Sequence, residues 1–184
     1  TMREMTHRGT AELSTERLLL RRLSLRDAQP AFENWLSEEK VTRFLTFEPY
    51  KSVREVRKIL RKWTRGYARP DFYQWAIVLK ESMQPVGTIE AKVIDADAGY
   101  MRVGYCLGSK WWGKGIMTEA LKEVLAFLFG QVGAGRIEAR HDANNPASGK
   151  VMQKCGMSYE GTLRRSAKSN VGIYDALVYA IVKD

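Results

Sequence analysis

The spacing of apolar positions changes along the chain, and each change marks an element. Leu18 to Leu23 form a short apolar run read as a first strand. Ser24-x-x-Asp27 then opens a helix to about Ser37, with Pro30 tolerated in its first turn. A short helical piece is expected near Val41 to Leu45. Ser52-x-x-Glu55 reads as a capping box for a helix to about Tyr67 that buries Val53, Val56, Ile59, Leu60 and Trp63 on one side. The period then falls toward two. Phe72 to Lys80, Val86 to Ile94 and Tyr100 to Leu107 read as strands of an antiparallel meander, with turn signals at Gln84-Pro85 and at Asp97 to Gly99. Leu121, Val124, Leu125 and Leu128 return to helical spacing within Thr118 to Phe129. Arg136 to Arg140 is a strand, Ala147 to Cys155 a helix, and Tyr159 to Arg164 and Tyr174 to Val182 the last strands. Strand, helix and strand from 100 to 140 require a parallel crossover. The expected architecture is α+β (mixed α/β): one domain over residues 15–184, preceded by a polar, unpatterned extension, residues 1–14, expected to fray.

Composition fits one ordinary core: 184 residues, 45% of them hydrophobic. No apolar run approaches the ~18 residues of a membrane span, and Thr1 to Leu13 lacks the apolar centre of a signal peptide. Cys106 and Cys155 have no pairing pattern or metal spacing, so they read as free thiols in a reducing compartment, and a cytoplasmic protein without a metal is expected. The net charge of +9 suits a nucleic acid, an anionic surface or a polyanionic cofactor. Arg54, Arg57, Lys58, Arg61, Lys62 and Arg65 fall on the exposed side of the second long helix, as a solvated face or an electrostatic surface.

Chemistry concentrates in Gly108-Ser-Lys-Trp-Trp-Gly-Lys-Gly-Ile-Met-Thr-Glu-Ala120, where a glycine-rich turn joins a strand to a helix. Glycines let backbone N–H groups approach an anion, and a helix start adds unpaired donors and a positive dipole end. Gly108, Gly113 and Lys114 fit most of the nucleotide-triphosphate pattern G-x-x-x-x-G-K-[ST], but Gly115 stands where the Mg²⁺-binding hydroxyl belongs. The dinucleotide fingerprint fails as well, with Thr118 in place of its third glycine. A turn serving only chain reversal is the plain alternative.

Lys110-Trp-Trp-Gly113-Lys-Gly115 resembles the pyrophosphate loop of the GNAT superfamily of acyl-CoA N-acyltransferases. The resemblance extends from Thr15 to Asp184 in the order of the RimJ/RimL-like branch of ribosomal-protein N-terminal acetyltransferases. It is carried by Thr15 to Arg21, Val86-Gly-Thr-Ile89, Val103-Gly-Tyr-Cys-Leu107, Trp112 to Leu121, and Asn145-Pro-Ala-Ser148 with Val151, Lys154, Gly156 and Met157. It implies that the strands on either side of the loop splay and take the pantetheine arm of acetyl-CoA between them. Main-chain groups of Tyr105, Cys106 and Leu107 would meet its amides, with Gly104 in a bulge. Gly113 to Met117, including Lys114, Gly115 and Ile116, would hold the pyrophosphate, with Lys110, Trp112 and Lys154 beside the cofactor and Asn145 on the pantetheine. Coenzyme A thioester is thus the expected co-substrate.

Attack of an amine on a thioester needs a neutral amine, an oxyanion donor and a proton for the departing thiolate. The resemblance implies the N–H of Cys106 or Leu107 for the oxyanion and Ser148 for the proton, although Asn145 and Ser148 also suit a helix start. The branch's usual carboxylates are missing: Arg102 stands two before Gly104-Tyr105, and Glu160-Gly161 is followed by Arg164, Arg165 and Lys168. Glu90 is the replacement general base, with His141 and water as alternatives, and Arg102 is expected to face an acidic substrate. The acceptor is a primary amine, on a protein N-terminus or a small molecule such as an amino acid, polyamine or antibiotic. A non-catalytic nucleic-acid-binding domain is the reading from another class, and it lacks a base-reading motif. A monomer or homodimer is expected, with neither a membrane nor a nucleic acid as partner.

Overall fold

Eight strands form one sheet in the computed structural model, which describes residues 4–184. They are β1 (Leu13–Ser14), β2 (Leu18–Arg21), β3 (Tyr73–Leu79), β4 (Gln84–Asp95), β5 (Tyr100–Leu107), β6 (Arg136–Asp142), β7 (Ser158–Ser169) and β8 (Gly172–Val182). The helices are α1 (Ala28–Ala31), α2 (Glu39–Thr42), α3 (Val53–Gly66), α4 (Ile116–Phe127) and α5 (Pro146–Lys154). The strand order is β1-β2-β3-β4-β5-β6-β8-β7, with β5 and β6 parallel and the other neighbours antiparallel. This is the expected α+β sheet with one parallel pair.

Both faces of the sheet are covered, which explains why β3 is almost continuously apolar. Trp75 and Ile77 join a core with Leu121, Val124 and Leu128 from the α4 side and Met152 of α5. Ala76 and Val78, one step out of phase, join a second core with Trp35, Val56 and Leu60. Each fully buried large apolar side chain stabilises the fold by roughly 2 kcal/mol. At the start of α3, Ser52 Oγ accepts the Glu55 N–H at 3.2 Å, while the Glu55 carboxylate accepts the N–H of Lys51 at 2.9 Å.

Local geometry corrects several boundaries. The helix expected from Ser24 is built as a 3-10 turn (Leu25–Asp27), α1 and a π turn (Phe32–Leu36) in succession. The turn expected at Gln84-Pro85 lies earlier: Met83 takes the left-handed conformation at φ 57°, and Gln84 already pairs with Leu79. β7 continues past Arg164 to Ser169 through a register shift between Leu163 and Ala167. Of the extension expected to fray, residues 1–3 lie outside the described residues, and the remainder is tied down. Thr6 N–H donates to Val132 C=O (2.8 Å), Trp75 Nε1 to Ala11 C=O (2.7 Å), and Thr10 Oγ1 to Phe72 C=O (2.9 Å). Leu13 pairs with Leu20 and is buried. Individual long-range bonds of this kind leave no periodic signal in sequence.

Candidate active site

β5 and β6 are partners only from Tyr100↔Arg136 to Val103↔Ala139. Both strands then continue, β5 bonded to β4 as far as Gly87↔Leu107 and β6 to β8 as far as Asp142↔Ala176. A wedge therefore opens between Gly104–Leu107 and Arg140–Asp142. Gly108 N–H is bonded to Val86 C=O at 2.8 Å. Strand alternation accordingly turns the backbone of Cys106 toward β4 and that of Tyr105 and Leu107 toward the wedge. Leu107 C=O accepts there from Trp112 Nε1 at 2.8 Å. Of the two expected oxyanion donors, Cys106 N–H is thus directed away and Leu107 N–H remains. No register shift occurs at Gly104, so the expected bulge is absent; a Cβ there would meet Glu90 Oε1 at 3.4 Å.

The wedge opens into two clefts. The first, about 350 Å³, is lined by Tyr105, Cys106, Leu107, Trp112, Gly113, Gly115, Ile116, Met117, Asn145, Ser148 and Lys154, all expected beside the cofactor, together with Trp111, Lys150 and Val151. Gly113 and Gly115 have φ of 71° and 73°, a conformation that costs other residues about 1 kcal/mol or more. They aim the chain into α4, whose first intrahelical bond is Glu119 N–H to Gly115 C=O, so the N–H groups of Ile116, Met117 and Thr118 precede that ladder. Lys110 and Lys114 do not line the cleft. The Lys110 ammonium lies 5.5 Å over the Trp111 ring, and the C=O of Lys114 is held by Arg17 Nη1 at 2.9 Å. Arg17, which the sequence did not single out, also pairs with Glu119 at 3.2 Å and so ties β2's approach to the loop.

The second cleft, about 240 Å³, lies on the α1–α3 side of the sheet. Phe44, Phe47, Trp63 and Tyr174 wall it, and Gln74, Thr88, Glu90, Arg140, His141 and Asp142 supply polar groups. Phe44, Leu45, Tyr105, Cys106, Asn145 and Ser148 line both clefts, so the two meet there. At the junction Ser148 Oγ donates to Tyr105 Oη (3.0 Å), which donates to Ser148 C=O (3.0 Å). Burial pushes the Tyr105 phenol well above its ordinary value, with the Ser148 bond opposing. Burial also raises the Cys106 thiol, which shares a hydrogen bond with Thr88 Oγ1 at 3.3 Å.

Glu90 reaches this cleft, with Lys92 Nζ 3.6 Å from its carboxylate. His141 is less available. Its Nδ1 engages Asp142 C=O at 2.7 Å, and its Nε2 packs against α5, where a Cβ on Gly149 would lie 2.5 Å from it. Arg102 does not face a substrate, because its Nε is bonded to Glu138 at 3.0 Å and its Nη2 to Tyr100 Oη at 3.2 Å. Glu138, 3% exposed, also accepts from Tyr100, Arg136 and Arg140. Burial alone would raise its carboxyl, but these hydrogen bonds outweigh it and bring it down to about 2. This cluster closes the wedge at its root.

Among the described residues no group of His, Cys, Asp or Glu is placed to hold a metal, and no helix is long and apolar enough to cross a membrane. The chain matches the family model for the acetyltransferase (GNAT) domain over residues 17–158. It is 29% identical over 171 residues to an uncharacterised N-acetyltransferase, p20, of Bacillus licheniformis, covering 93% of this chain and 96% of that protein. A shorter stretch of 59 residues, 32% of this chain and 30% of the relative, is 36% identical to the [ribosomal protein uS5]-alanine N-acetyltransferase of Escherichia coli. Among solved structures, a GNAT-family acetyltransferase from Bacillus anthracis superposes with a TM-score of 0.82 at 23% identity, covering 94% of this chain and 98% of that one. The microcin C7 self-immunity acetyltransferase MccE, solved with acetyl-CoA and AMP, gives 0.80 at 20% identity, covering 92% and 94%.

Proposed function

The chain belongs to the GNAT acetyltransferase family, acetyl-transferring enzymes that use acetyl-CoA, and from that premise we propose that it acetylates a cationic primary amine, with a protein N-terminus as the leading acceptor. The observation that carries this reading is the meeting of the two clefts at Tyr105, Cys106 and Ser148. The loop from Gly113 to Met117 binds the pyrophosphate through backbone N–H groups, and pantetheine adds to the free side of β5 as an extra strand would. Lys150 and Lys154 supply positive charge along the cleft. The amine enters the second cleft, where Glu90 takes its proton directly or through water. Leu107 N–H stabilises the oxyanion, and the Ser148–Tyr105 hydroxyl pair donates to the departing sulfur. A phenol raised by burial keeps its proton at neutral pH and is available as a donor.

Charge narrows the acceptor. Glu90 and Asp142 line the second cleft, while Arg140, the one arginine among the described residues that line it, is bonded to Glu138 at 2.6 Å. A free amino acid would bring a carboxylate with no unpaired arginine or lysine among the lining residues to receive it, whereas a peptide N-terminus carries none there. The name of the Escherichia coli relative supports the same acceptor. A small polycationic amine is the second reading, favoured by the cleft's volume of about 240 Å³. Release of coenzyme A should be measured with peptides of varied first residue, polyamines, aminoglycosides and free amino acids. Turnover with peptides supports the leading reading, and turnover confined to polyamines or aminoglycosides the second. Turnover confined to free amino acids defeats both.

A further inference from the structure

α3 carries a charge pattern that neither the fold nor the acetyl-transfer site uses. Its buried positions, Val56 and Leu60, are 0% exposed and belong to the core beneath it. On the opposite side Arg54, Arg57, Lys58, Arg61, Lys62 and Arg65 are all exposed. At about 100° per residue these six fall within an arc of roughly 140°, and Arg54 to Arg65 spans about 16 Å along the axis. Among the described residues none of the six takes part in an ion pair. The only acid on the helix, Glu55, is used by the N-terminal cap.

Helix stability does not account for this arrangement. Arg54 with Lys58, Arg57 with Arg61, Lys58 with Lys62, and Arg61 with Arg65 are like charges four apart, which repel. Arg54 also sits in the first turn, where a cation opposes the helix dipole. A face serving only solubility would mix both signs. We propose that this face of α3 binds the phosphodiester backbone of a nucleic acid, without reading its bases. The row is linear and rich in arginine, whose planar fork pairs with phosphate oxygens. None of the exposed large apolar residues lies on α3, so the face has nothing to insert into a lipid surface. Trp63, on the inner side of the same helix, lines the second cleft, so the basic row lies on the face of α3 turned away from the acceptor site and is free to bind independently of it. The lack of a base-reading motif is no obstacle, since backbone binding needs none.

Fluorescence anisotropy with labelled oligouridylate and oligothymidylate over a series of salt concentrations tests this independently of acetyl transfer. Six phosphate contacts on a single strand give a log–log salt slope of about −4, and replacing Arg57, Lys58, Arg61 and Lys62 by Gln makes it shallower by about 3. A control variant lacking Lys122, Arg164, Lys168 and Lys183 removes the same charge elsewhere and should keep most of the wild-type slope. Acetyl-CoA affinity should be unchanged in the α3 variant, which establishes that it is folded. No wild-type binding at physiological salt, or equal loss in both variants, overturns the proposal. So does α3-dependent binding to phosphatidylserine vesicles that matches or exceeds binding to both oligonucleotides.

Discussion

Tyr105 shows how one side chain can serve two clefts. Its main chain faces the wedge by strand alternation, and its hydroxyl is fixed by two bonds to Ser148, 43 positions away. Tyr105→Phe removes the hydroxyl while keeping the ring, so acetyl-CoA binding should persist while kcat falls about 10²-fold, the lower range for general acid catalysis. Isothermal titration beside steady-state kinetics would check both halves, and an unchanged kcat would exclude the hydroxyl from the chemistry. Glu90→Gln should lower kcat/KM about 10²-fold at neutral pH. The loss should shrink as pH rises past about 8, where an α-amine is already neutral without a base. A constant deficit across that range would deny Glu90 the role of base. Gly113, Gly115, Asn145 and Ser148 were legible in the sequence because each lies in a short segment whose spacing carries the signal. Tyr105's hydroxyl, Asp142 and Arg17 were not, because their importance depends on partners or neighbours far along the chain.

Strands and loops hold these residues in place through a few long-range ties. The wedge is closed at its root by Glu138 of β6, bound to Arg102 of β5 and to Arg136, Arg140 and Tyr100. Glu138→Gln leaves these arginines facing a neutral group, and breaking such a buried pair costs about 3 kcal/mol, a fall in Tm of about 6–12 °C. The folded-state pKa of Glu138 is lowered to about 2, so its contribution is complete above the ordinary glutamate value and disappears as pH falls toward 2. Thermal melts of the two proteins should therefore differ most near neutrality and converge on acidification; a constant gap would contradict this linkage. At the mouth, the hairpin between β7 and β8 reaches the α2 loop: Asn170 Nδ2 donates to Thr42 C=O (2.9 Å) and Phe47 C=O (2.6 Å), and its N–H to Leu45 C=O (2.8 Å). Asn170→Ala frees the segment carrying Phe44 and Leu45, which line both clefts, so KM for the amine should rise several-fold with a smaller change in kcat. An unchanged KM would mean that packing alone holds the loop. Strand and helix identities were legible from apolar period. The late end of β7, the early turn at Met83 and the pinned N-terminal segment were not, because bulges, left-handed turns and single bonds have no period.

At the scale of the molecule, binding and stability are linked through the loop before α4. The sheet and both cores are complete without a ligand, yet Gly113 to Thr118 hold a row of N–H groups and a helix start directed at a space that an anion can fill. A ligand that binds only the folded state adds RT ln(1 + [L]/Kd), about 2.7 kcal/mol at a hundredfold excess over Kd. For a chain of this length each kcal/mol corresponds to about 2–4 °C, so saturating acetyl-CoA should raise Tm by about 5–10 °C. Bulky residues at Gly113 and Gly115 would strain two left-handed positions and close the approach to the N–H groups. That double variant should melt lower without ligand, because the strain is present in the folded chain alone, and should lose most of the acetyl-CoA shift. A variant that melts lower but keeps the full shift would separate the two effects, leaving the glycines to shape the turn and moving the pyrophosphate to the lysines around the cleft.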